Sequence, residues 1–152
     1  MPEIKTCYKV NNFEFDNMED AEKFNAIYNE FKNEEQLKQI YLGIKNKINY
    51  KIYANQKFDF TQMKEIRKGL EKGLDVSTYA KPEFIWEQMS EIRIGLMINL
   101  DVTLYAKPEF IWEQMEQIHL GLRNGIDVFY YLNPGISWEE MKQIRLELES
   151  KK

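Results

Sequence analysis

Four basic side chains recur at a fixed interval of 26 residues and are the first place to look for chemistry. They are Arg67, Arg93, His119 and Arg145. In a stack of repeats equivalent positions form a row, and helical repeats that read RNA one base per unit use rows of this kind. A nucleic-acid-binding protein is therefore one interpretation. The other is structural: each arginine stem lies on the apolar stripe of its helix, and the guanidinium pairs with a carboxylate.

Catalytic or metal-binding chemistry finds little support in the sequence. His119 is the only histidine, and no second ligand or nucleophile lies at a suitable spacing. We interpret it as a polar member of a column at the surface edge. Cys7, the only cysteine, lies on a predicted strand and resembles a small apolar residue more than a reactive thiol. Because glycine-rich phosphate loops and hydrolase motifs do not occur either, the sequence predicts no enzyme, no cofactor and no metal.

Composition favours a folded chain and counts against a strong phosphate-binding surface. Hydrophobic residues make up 43% and aromatic residues 14%, which is too much for a disordered protein. The net charge is -4, whereas nucleic-acid surfaces usually need a clustered excess of lysine and arginine. An acidic row also runs beside the basic one: Glu35, Glu87, Glu113 and Glu139. A single cysteine and the lack of a long apolar run predict a cytoplasmic protein without a membrane partner.

The elements that must position these residues are repeats. The run Tyr79 to Met89 recurs letter for letter from Tyr105 to Met115, and the tryptophans, several methionines and several isoleucines keep the same 26-residue interval. Such a period is typical of stacked supersecondary units. The prediction is a mainly α fold, a short α-solenoid of two-helix 26-residue repeats. The units are 34–59, 60–85, 86–111, 112–137 and a truncated 138–152, which together make an array over 33–152.

Each long helix has a predicted start. Three starts carry capping-box pairs: Asn33 with Gln36, Asp59 with Gln62, and Ser137 with Glu140. Ile85 and Ile111 break this pattern at the cap position, although Gln88 and Gln114 keep its second half. We expect these two helices to begin less firmly or to be held by packing. The tryptophans that follow each start an amphipathic stripe, which predicts a core position for Trp86, Trp112 and Trp138.

The predicted helix ends are equally regular. Gly73, Asn99 and Gly125 share one register and suit a left-handed residue after a helix, whereas Lys47 departs from it. Caps for a second, short helix follow at Asn49, Asp75, Asp101 and Asp127. Glycines also recur inside the long helices, where glycine costs about 1 kcal/mol relative to alanine. They are Gly43, Gly69, Gly95 and Gly121. Their recurrence predicts close approach of a neighbouring helix.

The first 32 residues do not share the repeat. Ile4, Thr6, Tyr8 and Val10 alternate with polar neighbours, and Asn11-Asn12 suits a tight turn, which predicts a hairpin. Asp16 and Glu19 then form a capping box before a helical pattern. We predict a β-β-α module over 1–32 that caps the array, because terminal repeats need an atypical outer face.

The repeat also supports a resemblance. The pattern Trp-x-x-Met-x-x-Ile-Arg-x-Gly-Leu, followed by Asp-Val-x-x-Tyr-Ala-x-Pro, is clearest from Trp86 to Pro108. It resembles a tandem helical repeat in uncharacterised proteins of low-GC Gram-positive bacteria and of their phages and mobile elements. The resemblance transfers no catalytic or ligand-binding residue. It implies a setting in which some small proteins inhibit host defence systems, as anti-CRISPR proteins do.

A protein-binding scaffold is the function that the sequence favours. Solenoids expose long ordered surfaces, and arginine and tyrosine often anchor protein interfaces. The array is most aromatic at Phe129, Tyr130 and Tyr131. The residues predicted to bind a partner are Arg67, Arg93, His119, Arg145, Phe129 and Tyr130. We expect a protein partner, with a host defence nuclease as the specific hypothesis; nucleic-acid binding through the row and a homo-oligomer remain the alternatives.

Overall fold

A computed structural model of the chain describes residues 7–152. This part of the chain contains six α-helices, four three-residue 3-10 helices and one two-stranded antiparallel sheet at the N-terminal side. The chain divides into two compact units, residues 1–71 and 72–152. The prediction of a mainly helical fold that starts with a hairpin is therefore confirmed, whereas Ile4 and Thr6 lie outside the described residues. The apolar strand position predicted for Cys7 is wrong, because Cys7 precedes β1 and is exposed.

The first unit is built from a hairpin and three helices. Its elements are β1 (Tyr8–Val10), β2 (Phe13–Phe15), α1 (Met18–Tyr28), α2 (Glu34–Lys45), a 3-10 helix (Tyr50–Ile52) and α3 (Phe60–Glu71). The strands pair with Val10 opposite Phe13, and Asn11 allows the tight turn with a φ of 52°. Helix α2 packs against both α1 and α3. Phe15, Phe24, Ile40 and Ile66 are buried at the centre of this unit.

Helix α1 begins one residue later than predicted. The side chain of Asn17 accepts a hydrogen bond from the Asp20 amide at 2.8 Å and donates one to the Asp20 carboxylate at 3.1 Å. The capping box predicted for Asp16 and Glu19 is therefore wrong by one position. An asparagine side chain can both accept and donate a hydrogen bond at a helix start. Asn17 therefore satisfies the free backbone amide of Asp20 without help from the predicted glutamate.

The second unit contains three long helices, each preceded by a three-residue 3-10 helix. It contains 3-10 helices at Val76–Thr78, Val102–Leu104 and Val128–Tyr130, and the long helices α4 (Trp86–Met97), α5 (Trp112–Arg123) and α6 (Trp138–Ser150). Helix α5 packs against both α4 and α6. Met89, Ile92, Met115, Ile118 and Met141 are completely buried along the packed faces of these helices. Residues three apart on one helix face therefore form the core of the unit.

The predicted left-handed turns occur after the long helices, and one also occurs at Lys47, where the sequence has neither glycine nor asparagine. Gly73 and Gly125 have φ of 71°, and Asn99 and Lys47 have φ of 59°. A left-handed conformation costs lysine about 1 kcal/mol or more, and Lys47 forms an ion pair with the buried Asp20 at 2.8 Å. The left-handed turn is therefore present at the equivalent position of the first unit although this position holds neither glycine nor asparagine.

Aspartates cap the short helices as predicted. The side chains of Asp75, Asp101 and Asp127 accept hydrogen bonds from the amide two residues later at 3.1, 3.2 and 3.1 Å. Asn49 stands in the same register but its side chain makes no such hydrogen bond. Asn49 therefore occupies the predicted N-cap position without the capping hydrogen bond of the aspartates.

Three of the glycines inside the long helices, Gly43, Gly95 and Gly121, face tyrosines rather than neighbouring long helices. A Cβ atom at Gly95 would lie 2.0 Å from the Tyr105 hydroxyl, and one at Gly121 would lie 2.0 Å from the Tyr131 hydroxyl. The Tyr131 hydroxyl passes over this bare backbone and donates to the carbonyl of Gln117 at 2.8 Å. The predicted close approach is thus real, but its partner is the tyrosine that ends the short helix of the same repeat.

Candidate functional site

The basic row was the first candidate site, and in the first unit its arginine is tied to its own neighbours. The Arg67 Nε donates to the Gln39 side-chain oxygen at 2.8 Å, and one terminal nitrogen pairs with Glu71 one turn later. Asn46 also donates to the Glu71 carboxylate, at 3.3 Å. Four side chains of α2, its C-cap and α3 therefore form one polar network at the packed face.

The second unit contains the same network three repeat periods later. The Arg145 Nε donates to the Gln117 side-chain oxygen at 3.0 Å, and Arg145 Nη1 pairs with Glu149 at 2.8 Å. Asn124 donates to Glu149 at 2.8 Å. Hydrogen bonds from Asn124 and Arg145 hold the pKa of the Glu149 carboxyl below its usual value. Arg145 is itself buried, so this part of the row joins α5 to α6 instead of facing solvent.

His119 occupies the row between these arginines, and the expected surface position is wrong. Its side chain is 8% exposed, and its Nδ1 lies 2.7 Å from the Glu91 carboxylate of α4. The pairing partner again comes from the preceding long helix, 28 residues earlier. Arg93 is partly exposed, and its Nη1 contacts the Met97 sulfur at 3.4 Å. The structural interpretation of the row therefore fits the geometry; its role in partner binding stays a prediction.

Phe129 and Tyr130 are the two most exposed large apolar residues described, at 70% and 68%. They stand on the 3-10 helix that Asp127 caps through the Phe129 amide. The third aromatic of the predicted cluster, Tyr131, is instead fully buried. The structure therefore separates the cluster into a pair of surface rings and a core ring, and the pair stays the predicted contact.

A second exposed apolar surface was missed by the sequence analysis. Ile85, Trp86 and Ile111 are 52%, 44% and 49% exposed at the starts of α4 and α5. The core position predicted for the tryptophans is wrong for Trp86, and Trp112 and Trp138 are only half-buried; Phe84 and Phe110, just before α4 and α5, are buried instead, at 1% and 2% exposure. The isoleucines at the cap positions were the signal that could have identified this surface.

These two helix starts are held by glutamine side chains. The Gln88 Oε1 accepts a hydrogen bond from the Ile85 amide at 3.0 Å, and its Nε2 donates to the carbonyl of Phe110 at 2.6 Å. Gln114 makes the same bonds to the Ile111 amide at 3.0 Å and to the Ile136 carbonyl at 2.6 Å. The predicted second half of the capping box is confirmed, and packing on the next loop supplies the rest.

Between these two helix starts lies an open groove of about 350 Å³. It is lined by Trp86, Glu87, Ser90, Glu91 and Trp112. In the first unit a hollow of about 450 Å³ lies between the hairpin and α2, with Phe13, Glu14, Glu35 and Tyr41 among its lining residues. Both hollows combine aromatic rings with carboxylates, but the hollow beside the hairpin is also lined by Lys38. The groove between the helix starts is therefore the one that suits recognition of apolar and cationic groups.

Other kinds of site find no support within residues 7–152. No group of three metal-ligating side chains comes together there, and every buried side-chain nitrogen or oxygen has a hydrogen-bond partner. None of the described helices is long and apolar enough to cross a bilayer. Comparison with protein-family models, with curated proteins and with solved structures finds no match to this chain.

Proposed function

We propose that this chain is a non-enzymatic protein-binding protein, a short α-solenoid of two-helix 26-residue repeats with an N-terminal β-β-α cap. The observation that carries the proposal is the exposure of Ile85, Trp86, Ile111, Phe129 and Tyr130. Exposed large apolar side chains at these two places are typical of interaction sites, and tryptophan and tyrosine are common anchors of protein interfaces. These side chains stand at the hydrogen-bonded starts of α4 and α5 and on a capped 3-10 helix, so little backbone conformational freedom would be lost on binding.

The repeat part of the proposal is supported by contacts that recur every 26 residues in the second unit. Gln88 and Gln114 make the same pair of hydrogen bonds, to a helix start and to a following loop. Tyr105 and Tyr131 each donate to a carbonyl 14 residues earlier. Because each repeat satisfies its polar groups within itself and its neighbour, stacking of further repeats follows the same rules.

The nucleic-acid alternative has less support than protein binding. The guanidinium groups of Arg67 and Arg145 are committed to glutamine and glutamate partners, and His119 is buried. The net charge of -4 also opposes phosphate binding. Steep weakening of any captured complex between about 50 and 200 mM salt would favour this alternative.

The narrower form of the proposal is a cytoplasmic inhibitor that occludes a bacterial defence nuclease. It rests on the sequence resemblance to proteins of phages and mobile elements. In this form the exposed surfaces cover a functional face of the nuclease complex, and no chemistry is required of the inhibitor.

Affinity capture tests the proposal. The tagged chain is incubated with lysate of the organism that encodes it, with and without nuclease treatment, and bound proteins are identified and sized by light scattering. We expect a stoichiometric protein partner that survives nuclease, and a defence nuclease would establish the narrower form. Recovery that depends on nucleic acid, or only a second copy of this chain, would overturn the proposal in favour of the alternatives.

Matched variants locate the contact in the same experiment. Replacement of Phe129 and Tyr130 by Thr and Leu gives the residues found at Thr103 and Leu104 in the same register. Both positions are exposed, so folding should be unaffected within about 0.5 kcal/mol. If these residues form the contact, capture falls by at least about tenfold. Unchanged capture would remove the pair from the site.

A further inference from the structure

We propose that the groove between the starts of α4 and α5 binds an arginine side chain of a partner protein. This inference rests on the proposed protein-binding function and names the chemistry of one contact. Five side chains line the groove: Trp86, Glu87, Ser90 and Glu91 from α4, and Trp112 from α5. Two indoles, two carboxylates and a hydroxyl, with no cationic side chain, are what a guanidinium recognises.

The indole rings supply the apolar part of the site. Trp86 is 44% exposed in the first turn of α4, whereas Met89 and Ile92 of the same helix are completely buried. An aromatic face attracts a cation, and tryptophan does so best. Arginine fits better than lysine because its guanidinium is planar, is more weakly hydrated and stacks on rings. Its apolar stem can also lie along exposed Ile85 and Ile111.

The carboxylates supply the charge. The Glu91 carboxylate lines the groove, and its Oε2 lies 2.7 Å from His119 Nδ1, which holds the side chain in place. A carboxylate has about four acceptor positions, so one hydrogen bond leaves room for a guanidinium. Glu87 adds a second negative charge in the first turn of α4. The partial positive charge of a helix N-terminus is about half a unit, so the two glutamates outweigh it.

The cap positions give an independent reason to assign function here. Asp59 and Ser137 stand in the register of Ile85 and Ile111, and their side chains accept hydrogen bonds from helix amides. The isoleucines cannot accept such a bond and instead expose an apolar side chain beside the groove. A local rule of helix design is broken at the same two helix starts that form the groove, as is common at functional sites.

Indole resonances provide the test. In ¹H–¹⁵N spectra of the full chain, the three Trp indole signals are assigned with single Trp→Phe variants and then followed during titration with N-acetyl-arginine amide. We expect saturable shifts of the Trp86 and Trp112 signals. N-acetyl-citrulline amide has nearly the same shape without the charge and should bind about fivefold more weakly or worse. Equal binding of citrulline, or tighter binding of N-acetyl-lysine amide, would overturn the assignment.

The variant Glu87→Gln/Glu91→Gln is the matched protein control. Glutamine occupies the Glu91 register at Gln39 and Gln117, so the double variant should fold, and its amide spectrum verifies this. We expect arginine binding, followed at the Trp86 indole signal, to weaken about fivefold or more in the double variant. The Trp138 indole signal should respond to arginine in the same way in both proteins, because Trp138 does not line the groove. Unchanged arginine binding would refute the proposal. If the double variant does not fold, the same titration is made with Glu87→Gln alone, and unchanged arginine binding there would refute the proposal in the same way.

Failure of this inference can be told apart from failure of the proposed function. If affinity capture yields a partner but neither the probe nor the glutamine variant changes the groove signals, only the arginine site is wrong. If no stoichiometric protein is captured at all, the protein-binding function fails whatever the probe does.

Discussion

The starts of the long helices differ although their buried faces are alike. At α3 the Asp59 carboxylate accepts a hydrogen bond from the Gln62 backbone amide and the Gln62 side-chain oxygen accepts one from the Asp59 backbone amide, both at 2.9 Å; at α6 the Ser137 hydroxyl accepts one from the Glu140 amide at 3.2 Å. At α4 and α5 the same register holds Ile85 and Ile111, which cap nothing and are about half exposed. Packing fixes the buried face, whereas the helix start is free to change, and where it changes it becomes apolar surface.

The buried face should respond most strongly to a change of conditions. Burial raises the pKa of Tyr53, Tyr105 and Tyr131 well above the usual 10.0. A raised pKa means that stability is complete below about pH 10 and is lost at higher pH, because only the unfolded chain ionises there. Two pH units above 10, each neutral tyrosine costs about 2.7 kcal/mol. We expect urea midpoints to fall steeply above pH 10, with a shallower fall for Tyr131→Phe; a flat profile to pH 11.5 would contradict this.

Gly121→Ala is the strongest single test of the buried face. The new Cβ would lie 2.0 Å from the Tyr131 hydroxyl and 2.8 Å from a Val128 methyl, so the tyrosine must move. Overpacking of this kind costs about 1–3 kcal/mol in the free energy of unfolding, measured by urea denaturation. The double variant with Tyr131→Phe should recover part of this loss, and exposed Lys142→Ala should change little. Additive losses in the double variant would show that the hydroxyl is not the obstacle.

The basic row should also contribute stability. Arg145→Leu removes the donor to Gln117 and leaves a buried side-chain oxygen without its partner. This costs about 1–3 kcal/mol in the free energy of unfolding. Arg123→Leu is the control, because Arg123 is exposed at the end of α5. Equal effects of the two replacements would argue that Arg145 is available to a partner after all.

Periodicity predicted most of the fold, since each local signal acts within a few residues. The left-handed turns at Gly73 and Gly125 follow from the conformational freedom of glycine, and the aspartate caps follow from a side chain that accepts a nearby amide. Both signals recur in step with the 26-residue interval. Lys47 shows the limit of such signals: it adopts the same turn because the fold and its ion pair with Asp20 impose it.

The candidate site was harder to predict, because exposure depends on which neighbour fills the core. Trp86 has the size and spacing of a core residue, yet it is exposed, and Phe84 two residues earlier is the buried aromatic residue. His119 reads as a surface residue in the sequence, yet Glu91 from the preceding helix gives it a buried partner. The sequence indicates Phe129 and Tyr130 because they form the most aromatic site of the array and stand where the preceding unit has Thr103 and Leu104. Contacts across repeats therefore decided what spacing alone could not.

The smallest effect directly tests the difference between the helix starts. Ile111→Ser restores a cap beside Gln114 and should raise the free energy of unfolding by about 1 kcal/mol, or the melting temperature by about 2–4 °C. Ser137→Ile should lower it by a similar amount. If the exposed start of α5 binds a partner, Ile111→Ser should weaken capture while it stabilises the fold. A change that raised stability and left capture intact would mean that the isoleucine has no part in binding. A change that lowered stability would mean that packing at the start of α5 outweighs the missing cap.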